Sequence, residues 1–292
     1  MYYFLSLLTG ILISVMIAFN GGLTEQYGVY SATVIVHITG LVLISLVVLG
    51  KRERPFAKRY AWFLYLGGAI GVLTTVFNNL AFGRISVSAI LALGLFGQSV
   101  TGLIIDQYGL LGMPKHPFSK RKLIGLFLII CGIASMVNNF EIVAVAVSFA
   151  AGACIVISRT LNAKLADLTS VRTSTFYNYF VGLIVAIPVF LLLGRNELIF
   201  IELVFSPNIY IYFGGVLGVG VVFISNITVA KVSAFYLTLL IFVGQVFSGV
   251  LIDALITRVF STRNLVGGVF VAVGLCANLL LDNKVLSKEP SP

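Results

Sequence analysis

Charge is scarce in this chain. Asp, Glu, Lys and Arg make up 10% of its 292 residues, against about 25% in an ordinary soluble domain. Apolar residues supply 59%, more than a water-soluble fold of this length can hide, so a bilayer is the expected solvent for most of the chain. Acidic residues are the scarcer sign, ten against nineteen Lys and Arg, leaving a net charge of +9. That excess would suit nucleic acid if it formed a patch, but it falls between apolar runs. Lys51, Arg52, Arg54, Lys58 and Arg59 share one gap, and Lys115, Lys120, Arg121 and Lys122 another. Cytoplasmic loops have this pattern, and no nucleic-acid partner is expected. Cysteine is rare too. Cys131, Cys154 and Cys276 lie far apart inside apolar runs, which excludes a disulfide framework and a Cys/His metal site. No cofactor is expected. The helices offer no HExxH, no paired deep aspartates and no Ser/Lys pair, so an enzyme is not expected either. The N-terminus lacks a basic n-region and a small-residue cleavage site, and reads as a retained first helix.

What is present is a series of long apolar runs. A hydrocarbon core of about 30 Å takes about 20 helical residues. Ten segments qualify, near 3–22, 29–49, 61–82, 85–106, 121–139, 142–163, 172–193, 209–230, 233–255 and 264–282. With the N-terminus in the cytoplasm, fifteen Lys and Arg fall on inner loops and the tail. Only Arg84, Arg195, Arg258 and Arg263 fall outside. Both termini are therefore expected in the cytoplasm. The polar tail, 283–292, is expected to be disordered.

The runs repeat. Tyr65–Asp106 aligns with Tyr212–Asp253 without a gap at an offset of 147. Gly67, Gly68 and Gly71 fall on Gly214, Gly215 and Gly218, Asn79 on Asn226, Arg84 on Lys231, and Ser86 on Ser233. Gly97-Gln98, Gly102 and Asp106 fall on Gly244-Gln245, Gly249 and Asp253. Apolar bias cannot place Asn, Gln and Asp in register. At an offset of 142, Gly10, Asn20 and Gly40 match Gly152, Asn162 and Gly182, and Arg121, Gly125 and Gly132 match Arg263, Gly267 and Gly274. Two five-helix units follow, 1–140 and 141–282. Five is odd, so the second unit enters the membrane inverted, an architecture of secondary transporters. The expected fold is an all-α integral membrane protein of ten transmembrane helices in two inverted repeats.

Polar groups inside a bilayer need partners, so each is a candidate for function or for helix-to-helix glue. Gln98 and Gln245 sit midway along their helices, on small-residue stripes. With Asn79, Asn226, His37 and its counterpart Tyr179, they are the candidates for lining a substrate cavity. Asp106 and Asp253, near helix ends, are candidate gate or coupling residues, or loop-fixing groups paired with nearby Lys and Arg. Arg84 and Lys231 are candidate entrance residues or snorkelling anchors. Arg159 is expected to snorkel to the cytoplasmic face unless it meets substrate. Asn20 and Asn162 read as helix caps or glue. The glycine motifs lie inside helices and read as close-packing sites, without the strand a nucleotide loop requires.

Glycine-rich five-helix repeats carrying Gly-Gln and, eight residues after the Gln, Asp in the fourth helix (Gln98 to Asp106, Gln245 to Asp253) are similar to the YdcZ-like branch of the drug/metabolite transporter superfamily, here with two repeats fused. The resemblance covers all but the tail. It implies a ten-helix fold, a bacterial inner-membrane location and movement of small metabolites or drugs. One feature departs from the superfamily's small multidrug exporters: the first helix, Tyr3 to Asn20, has no deep carboxylate, and Glu25 follows only at its end. The expected function is a secondary transporter, an exporter of a small organic solute, acting as monomer or homodimer, with proton or ion coupling open. The alternative is a non-transporting membrane subunit that binds another protein.

Overall fold

The computed structural model describes residues 1–112, 122–136, 141–200, 205–229, 231 and 234–286. The described residues are helical apart from short turns. In chain order the helices are α1 (Tyr2–Tyr27), α2 (Val29–Gly50), α3 (Leu66–Ala81), α4 (Val87–Tyr108), α5 (Lys122–Met136), α6 (Ile142–Leu168), α7 (Val171–Leu193), the short α8 (Arg195–Phe200), α9 (Gly214–Val229), α10 (Ala234–Thr257) and α11 (Thr262–Leu286). Eight apolar segments among the described residues are long enough to cross a membrane, and two shorter apolar helices lie at Leu123–Met136 and Thr262–Ala277. α11 runs past the expected end at 282. The rest of the expected tail, 287–292, lies outside the described residues, as do Lys115, Lys120 and Arg121.

Local chemistry fixes the helix ends. Ser86 and Ser170 cap α4 and α7 by accepting from the backbone N–H of Ala89 and Thr173. Gly28 alone joins α1 to α2, at φ 87°, and a side chain there would strike the Glu197 carboxylate. Large apolar residues such as Leu46, Phe127, Leu191 and Leu255 are exposed, as a lipid-facing surface requires.

Helix packing follows the repeated glycines. α1 crosses α10, and α4 crosses α6. At the first crossing a Cβ on Gly10 would meet the Ile241 carbonyl, and one on Gly244 would meet the Leu7 carbonyl. At the second, Gly97 meets the Phe149 carbonyl and Gly152 the Gly94 carbonyl. α3 packs on α6 and α7, with Gly67 against Asn162 and Gly68 against Asn178 and Gly182. α9 packs on α1 and α2, with Gly214 against Asn20 and Gly215 against Val36 and Gly40. α5 and α11 pack on each other through Gly132 against Gly267 and Gly274 against Gly125. Without water to drive helices together, such backbone-to-backbone approach supplies the association.

Three carboxylates tie helix starts to distant segments. Asp253, near the end of α10, accepts from the backbone N–H of Val87 (2.7 Å) and Ser88 (3.0 Å) and from the Ser88 hydroxyl, at the start of α4. Glu197 accepts from the N–H of Tyr30 and Ser31 and the Ser31 hydroxyl, at the start of α2. Glu53 accepts from Ser170, Arg172 and Thr173 at the start of α7. Each places negative charge at the positive end of a helix dipole, Asp253 and Glu197 on backbone N–H donors and Glu53 on side-chain donors alone. Partial burial pushes the Glu53 carboxyl up. The hydrogen bonds from Ser170, Arg172 and Thr173 and the Arg172 charge outweigh that, and it titrates below its ordinary value.

Candidate functional site: a polar cavity at the helix crossings

A cavity of about 180 Å³ is lined by residues of α1, α2, α3, α4, α6, α7, α9 and α10. Among the described residues, α5 and α11 contribute nothing to its wall. The glycine crossings explain where its polar groups come from. Gln98 and Gln245 each follow the glycine on which a partner helix rests, so the backbone contact brings both amides to the inner face. Around them stand Asn20, Asn78, Asn162, Asn178, Asn226, His37 and Tyr179, with Ser158, Ser225, Thr74 and Thr75. Apolar residues such as Ile13, Ile17, Ile90 and Val222 fill the wall between them, the mixture expected of a small-molecule site.

Some of these groups satisfy one another. The Asn162 amide donates to Asn178 Oδ1 (2.8 Å), and the Ser158 hydroxyl donates to the Gly67 carbonyl (2.7 Å). The His37 ring nitrogen Nδ1 lies 2.8 Å from the Thr33 carbonyl, to which it donates, and the ring lies beside Tyr179 with centroids 5.9 Å apart. The Tyr179 hydroxyl donates to the Gly215 carbonyl (3.4 Å). Others are left over: Asn20 Oδ1, Asn226 Nδ2 and Gln245 Oε1 are buried without a hydrogen-bond partner. Each such atom costs about 1–3 kcal/mol in apolar surroundings.

Arg159 is the charged residue in the wall. Its guanidinium donates to Gln98 Oε1 at 2.6 Å, and no carboxylate is within ion-pair distance of it among the described residues. This corrects the expectation of a snorkelling arginine. The sequence pattern ended that helix near residue 163, but α6 runs on to Leu168. The extra turns place Arg159 roughly 13 Å from the helix end, at 1.5 Å per residue.

Of the candidates read from the sequence, Gln98, Gln245, Asn226, His37 and Tyr179 stand together on this wall. Asn79 does not. It is buried and donates to the Val29 carbonyl and Thr33 hydroxyl of α2, while its neighbour Asn78 faces the cavity. Asp253 is also elsewhere. The expected pairing with Arg258 or Arg263 is replaced by the start of α4 and a longer bond from Asn264. Its equivalent Asp106 lies within α4, but its side chain is outside the described residues. Arg84 is exposed in the α3–α4 turn, on a second hollow shared with Glu25 and Asp253. Lys231 is exposed after α9. Sequence reasoning missed Arg159 and Asn178 as wall residues and gave Asn20 and Asn162 only a structural part. The offset of 142 did pair Asn20 with Asn162, and Arg159 stands one turn before Asn162 on the same helix face.

A family described as "Putative inner membrane exporter, YdcZ" matches this chain twice, over residues 1–135 and again over 143–277. The chain belongs to this family. It is a multi-pass protein of the inner membrane and a transporter in class, which is not a class of enzyme. The two matched stretches fall one in each half of the chain. No curated protein matches the chain. Among solved structures, one titled "Crystal structure of protein" aligns over 97% of both chains with a TM-score of 0.64 and 12% identity, a likeness of fold alone.

Proposed function

We propose that this family member is a secondary transporter that exports a small organic solute by alternating access. Its two halves, 1–140 and 141–282, are five-helix units of opposite orientation, giving ten spans with both termini in the cytoplasm. The carrying observation is the cavity. It lies where the halves meet, and matched positions of both line it: Asn20 with Asn162, His37 with Tyr179, and Gln98 with Gln245. The pairing of helix contacts supports two related halves. α1 on α10 has its counterpart in α4 on α6, and α9 on α1 in α3 on α6, while α2 on α7 and α5 on α11 are their own counterparts. Related halves have two packings of similar energy, so that the cavity can face either side in turn. A dry scaffold would have no use for unpaired amides at its centre.

The test is flux. Purified protein in liposomes is loaded with a panel of metabolites and subjected to imposed proton and sodium gradients. Movement of at least one solute, abolished by Gln98→Leu together with Gln245→Leu, is the expected result. A correctly folded protein that moves nothing under any gradient overturns the proposal.

A further inference from the structure

We propose that the solute carries an anionic group, a carboxylate or phosphate, and that the Arg159 guanidinium binds it together with the Gln98 amide. The inference rests on the reading of the cavity as the transport site. Its first support is the state of Arg159 itself. An arginine is expensive away from bulk water unless an anion balances it, yet among the described residues Arg159 has the neutral Gln98 oxygen and no anion. A guanidinium has five N–H donors in a planar fork, and one acceptor leaves most of them free. Among the described residues no Asp, Glu or Lys shares the wall, so none of them competes with an incoming anion for this charge.

The second support is the repeat. At the offset of 142 the counterpart of Arg159 is Ile17, which also lines the cavity. On the same face Asn162 matches Asn20 and Ile155 matches Ile13. Packing of the repeat therefore works with an aliphatic side chain at this position, and the fold does not require the charge. It is one of several places where the two halves give the cavity different chemistry, as Ser158 against Met16 and Asn178 against Val36 also do. The third support is the surplus of neutral partners. Asn226 Nδ2 is a buried donor without an acceptor, and Gln245 Oε1 and Asn20 Oδ1 are buried acceptors without donors. A solute with an acid at one end and hydroxyl, amine or carbonyl groups elsewhere suits a wall rich in amides. The carboxylate or phosphate would accept from two parallel guanidinium N–H groups.

The experiment measures binding to the purified full-length protein by thermal shift and by titration. The probes are matched in shape and differ in charge: benzoate, benzamide and benzylamine; succinate and succinamide; phenyl phosphate and phenol. The expected result is that at least one acid binds and its neutral or cationic analogue does not. Arg159→Gln should weaken that acid by about tenfold or more. Arg159→Lys keeps the charge but loses the fork. It should preserve the preference for acid over amide with weaker binding, and it reports on the charge even if Arg159→Gln does not fold. Neutral or cationic probes that bind wild type and both variants alike overturn the anion assignment and leave the transport reading standing. If no probe of any charge binds and the liposome panel shows no flux, the transport reading itself falls.

Discussion

Replacing Asp253 by asparagine keeps the shape of the side chain and removes its charge and one of its two acceptor oxygens. In the native fold both oxygens are used, one by the Val87 N–H at 2.7 Å and the other by the Ser88 N–H and hydroxyl. The asparagine NH₂ must face one of these donor groups and leave it unpaired. Losing one bond to a charged acceptor costs about 1.5–3 kcal/mol. Losing the favourable charge at the start of α4 adds about 0.3–1 kcal/mol. Together these give about 2–4 kcal/mol, a factor of roughly 30 to 1,000 in the equilibrium between the tied and untied ends of α4 and α10. Two assays read this. Thermal unfolding in detergent should fall by roughly 4 °C or more. In a background with the native cysteines replaced, Leu91→Cys, buried beside this tie, should react faster with a maleimide once Asp253 is changed. If the melting temperature stays within about 1 °C and the labelling rate is unchanged, Asp253 is not the tie inferred from its hydrogen bonds.

Gly97→Leu and Gly152→Leu each drive a side chain into the carbonyl of the partner helix, and should abolish folded yield. Gly10→Leu and Gly244→Leu should match them, while Gly50→Leu, which meets open space, should have little effect on monodisperse yield. Glu53 titrates below its ordinary value of 4.5 in the folded protein. Its contribution to stability is therefore complete above that value and is lost as pH falls through the lower folded value. Melting curves should show an acid-side loss of stability that Glu53→Gln flattens; an unchanged acid limb refutes the assignment. Gln98→Ala removes the hydrogen-bond partner that Arg159 has among the described residues, and should weaken solute affinity. A large stability loss with unchanged affinity would make Gln98 helix glue.

Much of the packing was legible before any coordinates. Position-matched glycines at offsets of 147 and 142 predicted close approach, and the crossings fall on Gly10, Gly97, Gly152 and Gly244. Small residues must stand wherever two backbones touch, so the requirement is written locally at each position. The amides beside them were legible for the same reason. The helix-capping carboxylates Glu53 and Glu197 were not. They lie in connecting segments, where neither spacing nor hydropathy indicates which distant helix start will come within reach. Asn79 and Asn78 show the same limit at finer scale, since one step along a helix turns a side chain by about 100° and only the neighbouring helices decide which of the two faces the cavity.

The sequence by itself determined the solvent and the long apolar helices, because a bilayer imposes length and apolarity on each segment independently of its neighbours. Tertiary structure decided what the polar groups are for. Arg159 read as an anchor near a helix end while α6 stood alone. It became the charge of a cavity once α6 proved longer and α4 crossed it at Gly97, bringing Gln98 within 2.6 Å. Whether a buried charge is anchor, glue or binding group depends on what surrounds it, and its surroundings are set by residues far away in the chain.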